Sequence, residues 1–501
     1  MVGITSYGAY IPWNRLNRKI IYQAMGWYNT AVAGFAKGEK AVANYDEDSI
    51  TMATAAGMDC ISGLKATMGK EINDNIIGNI DGLYLASTTH PYQERQNARI
   101  VASALGFSEE MRTADFTGSL KSGTTGLLSA SEAIMSDHVK NAMVCIADCR
   151  LGKAGSMQEY IFGDGAVSFL LGKDNVIAEI EGFYTLSNDF IDHRRMQGDK
   201  FDQAWEDRWM RDEGYARVLP EIITGILKKY NLNVNDLSKI IYPCHYDKLH
   251  SNIAKKLNAE SIQIQDNMFW SVGDTGTAHP LLMLAAALEK AEPGDRLLVV
   301  SYGNGGDALI FRVTEEIEKF KAVNKSYNLE NHMGVEGHLL HRNELDSYEK
   351  YAAFRNILPV ETGIRGEVAS TAISVLWREQ KTVLGLEGSL CKRCGTPQYP
   401  PQKICINPQC QGDKMVPYRF ADKKGYIFSY TADNLAYSPD PPAVYGIVDF
   451  EGGGRFWFDF TDCDPQKIKV GIPVKMSFRR KYIDEMRSMC GYFWKAIPVT
   501  N

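Results

Sequence analysis

The feature of this sequence that most constrains its fold is a pair of glycine-rich turns that occurs twice. SGTTGLLSASEAI (122–134) and GDTGTAHPLLMLAAALE (273–289) each combine a Gly-Thr turn with a helix of small residues. FGDGAVSFLLG (162–172) and YGNGGDALIFRV (302–313) follow them, and each is a Gly-rich turn that opens a strand. The repeated order indicates a duplicated α/β unit, although Gly-rich turns also recur in α/β proteins that are not duplicated.

Short, almost uninterrupted apolar runs indicate strands that are covered on both faces. These runs are MVCIA (143–147), KIIYPC (239–244) and RLLVVSYG (296–303). A helix is expected to begin near Asp48 and Ser49, because the DEDS turn supplies an N-cap and a negative first turn before an apolar helical pattern. We therefore predict a layered α/β core over about the first 315 residues.

The remainder of the chain changes character twice. Residues 315–389 are charged and helical in pattern, which indicates a connecting region. Its predicted helices are EEIEKFKAV (315–323), LDSYEKYAAFRNIL (345–358) and EVASTAISVLWREQ (367–380). From Pro417 onward, short strands alternate with Gly, Asp and Pro turns, which predicts a small antiparallel barrel.

Length and charge limit the classes of protein to which the chain can belong. Its 501 residues leave room for roughly three domains. A hydrophobic share of 45% and a charged share of 23% exclude a disordered or collagen-like chain. Residues 390–501 carry 16 basic and 11 acidic side chains, so a tail of net charge +5 follows a body of −11. The overall charge of −6 argues against a globally basic nucleic-acid-binding protein.

The predicted location is the cytoplasm. The longest uncharged apolar stretches, such as Ala166–Leu171 and Leu281–Leu288, are far shorter than the ~20 residues of a spanning helix. The opening MVGITSYGAYIPWNR lacks the basic and apolar regions of a signal peptide. Ten cysteines are too few for a disulfide scaffold, which suits a reducing compartment.

Four cysteines have the spacing of a metal site. CKRCGTPQYPPQKICINPQC places Cys391, Cys394, Cys405 and Cys410 in a C-x2-C-x10-C-x4-C array. Two thiolate pairs on tight turns form a closed tetrahedral site for Zn²⁺ with no position for a reacting water. We predict a structural zinc ion, and the spacing alone leaves iron in a rubredoxin-like centre as the alternative.

Residues 1–358 resemble the thiolase superfamily and, within it, the archaeal type of hydroxymethylglutaryl-CoA synthase. The resemblance rests on sequence blocks in the family's order: GAYIPWNRL, GEKAVANYDEDSITMA, STTHPYQERQNARIVASALG, LKSGT, FGDGA, GDTGTAHPL, PGDRLLVVSYGNG and SYEKYAAFRNIL. It implies a duplicated, layered αβαβα core that handles acyl-CoA. The tail resembles small zinc-ribbon and OB-fold proteins that accompany thiolases and synthases.

The resemblance gives five predicted segments. The two thiolase-like halves are 1–170 and 171–358, a helical linker follows at 359–389, and the zinc ribbon and OB-fold are 390–414 and 415–501.

The resemblance also implies a Cys nucleophile, a Glu acid/base and an assisting His, and all three are missing. The Cys position is Leu120, the Glu position is Thr88 and the His position is Pro243, while the later Asn becomes Asp274. A leucine side chain cannot accept an acyl group. Loss of the acid/base removes a further ~10²–10⁴-fold in rate. The chain is therefore not expected to work by the usual synthase mechanism.

Two functions remain open inside acyl-CoA carbon–carbon bond metabolism. The first is chemistry that needs no nucleophile, such as aldol or retro-aldol cleavage, with CoA as part of the substrate. Its candidate residues are His245 and Tyr246 near the lost His, Asp274 and His279 in the Gly-Thr loop, and His90. Each histidine has a structural alternative: His90 as a turn residue, His279 as a helix cap and His245 as a strand-end residue.

The second function is that of a non-catalytic partner of an active thiolase. Loss of three catalytic residue types is what drift under structural constraint produces. Thiolase-fold bodies pair through a two-fold interface, so we expect a homodimer or a larger assembly, with a thiolase subunit as one candidate partner.

A third function, nucleic-acid binding by the OB-like tail, is less well supported. Aromatic residues 430, 437 and 456–458 and the basic run 479–481 resemble a single-strand-binding surface. The net charge of the tail is modest, however, and the same surface would suit CoA phosphates.

Overall fold

The computed structural model describes residues 1–68, 78–324, 331–361 and 370–499. The chain forms two compact units. The first consists of Met1–Asn44, Asp48–Arg99 and Glu109–Leu358, and the second of Tyr45–Glu47, Ile100–Ser108 and Pro359–Asn501.

The first unit contains fourteen strands among its described residues. They are β1 Gly3–Tyr10, β2 Asn14–Asn17, β3 Glu39–Val42, β4 Gly82–Ala86, β5 Arg112–Phe116, β6 Ala142–Asp148, β7 Gly165–Gly172, β8 Ala178–Ser187, β9 His193–Arg194, β10 Gln203–Ala204, β11 Lys239–Ile241, β12 Arg296–Val300, β13 Gly305–Val313 and β14 Asn343–Leu345.

The α-helices that begin in this unit connect those strands. They are Arg18–Met25, Ser49–Met68, Asn97–Leu105, Ser122–Met135, Met157–Ile161, Asp207–Trp209, Ala216–Tyr230, Asp247–Lys256, His279–Lys290, Glu316–Val323, Gly334–Leu340 and Tyr348–Phe354. Of the helices that the structure describes in the whole chain, none has both the length and the apolarity needed to cross a membrane.

The main sheet shows the predicted duplication. Its strand order is β11-β12-β13-β8-β1-β7-β6-β4-β5. In one half β1 is antiparallel to β7, β7 is antiparallel to β6, and β6 is parallel to β4. In the other half β8, β13, β12 and β11 repeat those relations in the same chain order. The halves meet where two residues of β1 pair with β8.

The two halves build the five layers of an αβαβα core. The helices Ser122–Met135 and His279–Lys290 lie against strands of both halves and form the central layer. The helix Ser49–Met68 covers β1, β7 and β6, and the helix Ala216–Tyr230 covers β8 and β13. The layered fold predicted from the resemblance is confirmed.

Small residues allow the central helices to approach closely. A Cβ placed on Gly123 would lie 2.9 Å from Leu281 Cδ1 and 3.0 Å from the Thr277 carbonyl oxygen. Most residues of both helices are buried, as expected for helices that are apolar all round. This packing explains the small-residue pattern of the two repeated segments.

The predicted helix start at Asp48 is confirmed in detail. The Asp48 carboxylate accepts a hydrogen bond from the Thr51 amide at 3.0 Å, and the Thr51 hydroxyl accepts from the Asp48 amide at 2.9 Å. This reciprocal pair satisfies amides that the first turn of a helix leaves unbonded. The helix then runs over Ser49–Met68.

Two strand predictions were too long. KIIYPC forms a strand only over Lys239–Ile241, and Pro243 has no amide hydrogen to extend it. RLLVVSYG forms a strand only over Arg296–Val300, before the turn at Gly303. The helix predicted over 367–380 begins outside the described residues, and its described part contains Ile373–Arg378.

The second unit contains eight strands and two short α-helices in its described 370–499 segment. The helices are Ile373–Arg378 and Gln380–Leu384. The strands are β15 Glu387–Cys391, β16 Pro397–Gln398, β17 Met415–Arg419, β18 Gly425–Asp433, β19 Ala443–Phe450, β20 Arg455–Asp459, β21 Pro473–Asp484 and β22 Met489–Pro498. Strands β15–β17 form a three-stranded ribbon, and β18–β22 form an antiparallel sheet in the order β20-β19-β18-β21-β22. The predicted ribbon and antiparallel OB-type sheet are confirmed.

Candidate functional site

Asp148, at the end of β6, anchors the segment that contains Thr88. Its buried carboxylate accepts hydrogen bonds from the Thr88 amide at 2.7 Å and the Thr88 hydroxyl at 3.0 Å. The hydroxyls of Ser87 and Thr89 donate to it at 3.0 and 3.1 Å. The amide of Thr277 donates to it at 2.9 Å. Residues 87–89 are thereby held against the loop that contains Thr277.

Leu120 lies two residues before the start of the helix Ser122–Met135 and is 8% exposed. A Cβ placed on Gly303 would lie 2.9 Å from Leu120 Cβ, and the Ser119 hydroxyl donates to the Gly303 carbonyl at 2.9 Å. Pro243, two residues after β11, is buried. Hydrocarbon thus occupies two of the positions where the resemblance places catalytic groups.

The Gly-Thr loop joins Asp274 to these segments. The Thr277 hydroxyl accepts a hydrogen bond from the Gly123 amide at 2.9 Å. Asp274 accepts one from the Gly276 amide at 2.8 Å. Gly276 has a φ of +62°, and a Cβ there would lie 2.4 Å from Asp148 Oδ2. Only glycine fits this turn, which positions the Asp274 carboxylate.

His245 is a buried imidazole with unused hydrogen-bonding capacity. It is 8% exposed, and neither ring nitrogen has a hydrogen-bond partner among the described residues. Its ring centroid lies 4.0 Å from that of Tyr246, 5.4 Å from Tyr215 and 6.0 Å from Phe269. Burial lowers the pKa of His245 to about 4, against the opposing charge of Asp274. The imidazole is therefore neutral at pH 7.

Two tyrosines, Tyr215 and Tyr246, contact this imidazole, and Tyr302 packs on Tyr215. Tyr215 stacks on Tyr302 with ring centroids 4.2 Å apart and meets Tyr246 edge-on at 5.8 Å. The Tyr246 hydroxyl donates to Asp207 at 2.5 Å, and the Tyr302 hydroxyl hydrogen-bonds with Asp192. Burial raises the pKa of Tyr215 well above its ordinary value, so its hydroxyl remains protonated.

The Asp274 carboxylate is charged despite its surroundings. Burial disfavours the charge, but His279, Arg150 and His245 together hold the pKa of Asp274 below its ordinary value. His279 Nδ1 accepts a hydrogen bond from the Thr275 amide at 3.4 Å. Burial lowers the pKa of His279, against the charge of Asp274. The site therefore combines an ionised carboxylate with neutral imidazoles.

Arg150 is the buried cation of this region. Its Nε lies 2.6 Å from Asp202 Oδ2, and its guanidinium lies over the Phe162 ring at 4.0 Å from the centroid. Arg195 contacts the other oxygen of Asp202 at 3.2 Å and donates to the Thr88 carbonyl. The Arg150 charge is thus already matched by a carboxylate.

The structure brings together all four residues predicted to be catalytic. The charges of Asp274 and His279 both act on the pKa of His245. Tyr246 lies beside His245, but the Tyr246 hydroxyl donates its hydrogen bond to Asp207. The catalytic roles themselves stay predictions.

His90 lies on the segment held by Asp148. Its Nε2 is 3.3 Å from the Phe116 carbonyl oxygen, the type of contact expected for a structural turn residue. Its Nδ1 is buried without a partner among the described residues.

Sequence reasoning missed Tyr215, Tyr302, Arg150 and Asp148. Asp148 has a local signal, because it is the first charged residue after a buried apolar strand. Tyr215 ends a π-helical turn over Met210–Tyr215, a feature frequent at functional sites but not readable from sequence.

The four predicted metal ligands converge in the second unit. All four Sγ atoms of Cys391, Cys394, Cys405 and Cys410 lie within 4.8 Å of one another. The Cys391–Cys410 and Cys394–Cys405 separations are 3.7 and 3.5 Å. A tetrahedral zinc site with Zn–S bonds of ~2.3 Å requires sulfur separations of ~3.8 Å. The donor set therefore fits a structural Zn²⁺ with no open position.

Family models match this second unit. One described as "ChsH2, rubredoxin-like zinc ribbon domain" matches residues 380–416. Another described as "ChsH2, C-terminal OB-fold domain" matches residues 418–479.

Solved structures share the fold of the first unit. A hydroxymethylglutaryl-CoA synthase complexed with CoA aligns with a TM-score of 0.61 at 18% identity, over 74% of this chain and 94% of that chain. The 3-oxoacyl-[acyl-carrier-protein] synthase III of Aquifex aeolicus aligns with a TM-score of 0.53 at 18% identity, over 62% and 100%. These likenesses concern the fold.

Curated relatives extend the likeness to sequence. The hydroxymethylglutaryl-CoA synthase of Methanopyrus kandleri is 31% identical over 324 residues, which are 64% of this chain and 90% of the relative. That of Methanocaldococcus jannaschii is 30% identical over 364 residues, 71% of this chain and 99% of the relative. The chain therefore belongs to the hydroxymethylglutaryl-CoA synthase family, with a zinc ribbon and an OB-fold fused after the synthase-like body.

Proposed function

We propose that the protein makes or cleaves a carbon–carbon bond of an acyl-CoA by aldol chemistry, without a covalent acyl-enzyme. The observation that carries this proposal is His245, a buried imidazole whose two nitrogens have no partner among the described residues. An unsatisfied buried polar side chain costs stability, which is offset where it binds a ligand.

Leu120 rules out the usual first step. A covalent acyl-enzyme needs a nucleophilic atom, and the leucine side chain has none. The acyl group therefore stays on CoA throughout the reaction. Aldol chemistry satisfies this condition, because its charge develops on the thioester enolate rather than on the enzyme.

In the cleavage direction, a base removes the proton of the β-hydroxyl of a 3-hydroxyacyl-CoA. The Cα–Cβ bond breaks, its electron pair moves to the thioester enolate, and an aldehyde or ketone forms from the β-carbon. The enolate is then protonated at Cα to give a shorter acyl-CoA. The reaction needs a base, a hydrogen-bond donor to the enolate oxygen and no external oxidant or reductant.

The site offers both groups. Asp274 is the ionised carboxylate, and we assign it the role of proton acceptor. His245 is neutral because burial lowers its pKa to about 4, and a neutral imidazole N–H can donate to an enolate oxygen. Tyr215, kept protonated by its raised pKa, lies edge-on to His245 as a second donor.

His279 and Tyr246 are assigned supporting roles. The His279 Nδ1 accepts a hydrogen bond from the amide of Thr275, the residue after Asp274, so His279 helps to hold the loop that carries the carboxylate. Tyr246 packs against His245 and donates its hydroxyl to Asp207, so it orients the imidazole rather than transferring a proton.

The second candidate is a non-catalytic partner of an active thiolase-like subunit. It is favoured by Thr88, whose hydroxyl donates a hydrogen bond to Asp148, and by Leu120, which packs beside Gly303. Both positions have become parts of the packed body. In this role the fused zinc ribbon and OB-fold would contact the CoA of the active subunit.

One experiment separates the two functions. The full chain is incubated, alone and with any thiolase-like protein that copurifies, with 3-hydroxyacyl- and 3-ketoacyl-CoAs, and shorter acyl-CoAs are measured by chromatography. Turnover by the isolated chain supports catalysis. Turnover that requires the partner, and is unchanged by His245→Ala, supports the partner role and overturns the catalytic one.

A further inference from the structure

The cations near the proposed site are already paired with carboxylates. Arg150 and Arg195 share Asp202, at 2.6 and 3.2 Å. Lys121 lies 3.3 Å from Asp307. Asp202 carries one negative charge for two arginines, so the charge balance of the region depends on its other carboxylates.

The carboxylates of the same region outnumber the cations. Asp148 is fully buried, and its hydrogen-bond donors among the described residues are hydroxyls and amides. Asp207 accepts from a tyrosine hydroxyl, and Asp274 from a backbone amide. The charge of Arg150 also acts on Asp148 and Asp274, but Arg150 pairs with Asp202, so the carboxylates of this region still exceed its cations among the described residues. Their charge would repel a carboxylate on the substrate, and burial strengthens that repulsion.

Flat rings pack around His245 and against one another. Tyr215 and Tyr302 stack at 4.2 Å, His245 meets Tyr215 edge-on, and Phe269 lies 6.0 Å from His245. Aromatic rings prefer stacked or edge-on partners, which an aromatic acyl group supplies and an alkyl chain does not.

We propose that the acyl group bound beside His245 is uncharged and aromatic. This inference rests on the proposed function, because it places the acyl group of a CoA thioester in the same site. It sets the chain apart from relatives named for hydroxymethylglutaryl-CoA, whose acyl group ends in a carboxylate.

The test is binding without turnover. Isothermal titration of the full chain compares 3-phenylpropionyl-CoA, hexanoyl-CoA and glutaryl-CoA, which share CoA and differ only in the acyl group. None of the three carries a β-hydroxyl, so the comparison is independent of catalysis. We expect the aromatic ligand to bind at least about 10-fold more tightly than glutaryl-CoA and about threefold more tightly than hexanoyl-CoA. Equal or tighter binding of glutaryl-CoA, equal binding of hexanoyl-CoA, or binding of none overturns the proposal.

Two variant pairs check the origin of the preference. Tyr302→Leu should reduce affinity for the aromatic ligand about 3- to 10-fold, whereas Tyr302→Phe, which keeps the ring, should not. Asp274→Asn should reduce the difference in affinity between the aromatic ligand and glutaryl-CoA, because the substitution removes a negative charge. The proposal is contradicted if Asp274→Asn leaves this difference in affinity unchanged. It is also contradicted if both Tyr302 variants lose the same affinity for the aromatic ligand. A preserved aromatic preference in a chain without turnover would overturn the proposed function and leave this inference standing.

Discussion

The hydroxyl of Thr88 donates a 3.0 Å hydrogen bond to the buried carboxylate of Asp148. Thr88 occupies the position where the family resemblance places an acid/base, and in this chain it secures the 87–89 segment instead. This position therefore has a structural role in this chain instead of a catalytic one.

Thr88→Val should destabilise the fold. Valine keeps the shape but removes a donor to a buried charged group, at a cost of about 1–3 kcal/mol. Scanning calorimetry of the full chain should show a lower temperature for the first unfolding transition. Thr30→Val, at an exposed position, is the control and should change little. Equal behaviour of the two variants would mean that the hydrogen bond contributes nothing.

No covalent acyl-enzyme should form. Leu120 has no nucleophilic atom, so intact-protein mass spectrometry after acid quenching of an acyl-CoA reaction should show only the unmodified mass. Leu120→Ala should likewise show only the unmodified mass of the variant. A stable acyl adduct on any cysteine, Cys149 included, would refute the mechanism.

The second unit should contain one zinc ion. Elemental analysis should find about one Zn²⁺ and no iron per chain, and Cys405→Ser should lose the metal together with the folded ribbon, since such sites supply folding energy. Cys463→Ser, outside the cluster, is the matched control and should retain it. Iron in the native protein, with the visible absorption of a thiolate complex, would show that the zinc assignment is wrong.

Stability should fall in mild acid through His245. Its pKa is about 4 in the folded protein and 6.5 as a free side chain. Between these values the unfolded chain binds a proton that the folded chain does not, so lowering the pH through this window favours unfolding. The loss is roughly 2 kcal/mol at about pH 5 and absent above about pH 7.

Replacing the imidazole isolates this effect. The denaturation midpoint is measured at about pH 7.5 and at about pH 5. The difference between the two midpoints should be smaller in His245→Phe than in the wild type, because all other titrating groups are common to both proteins. The same pH dependence in both proteins would show that His245 does not titrate with a lowered pKa.

Sequence patterns predicted those parts of the molecule whose structure depends on residues close together in the sequence. The N-cap at Asp48, the small-residue helix after Leu120 and the C-x2-C spacing at Cys391 each depend on neighbours in sequence. The strand over 239–244 was predicted too long, because an apolar run does not show where Pro243 interrupts hydrogen bonding.

The ring cluster could not be predicted in the same way. Tyr215 and Tyr302 are far apart in sequence and meet only because the helix Ala216–Tyr230 covers β13. The pairing of Arg150 with Asp202 likewise depends on tertiary packing. His245 and Asp274 were identified only because the resemblance placed both near the lost catalytic residues.

The most direct test of the account is the release of aldehyde from a 3-hydroxyacyl-CoA by the purified full chain, followed with a coupled dehydrogenase. We predict turnover by the wild type and by His138→Ala, an exposed control, and a loss of at least about 100-fold in His245→Ala. Equal rates in the two histidine variants, or no aldehyde from the wild type with any substrate, would contradict the central claim that this chain cleaves carbon–carbon bonds at His245.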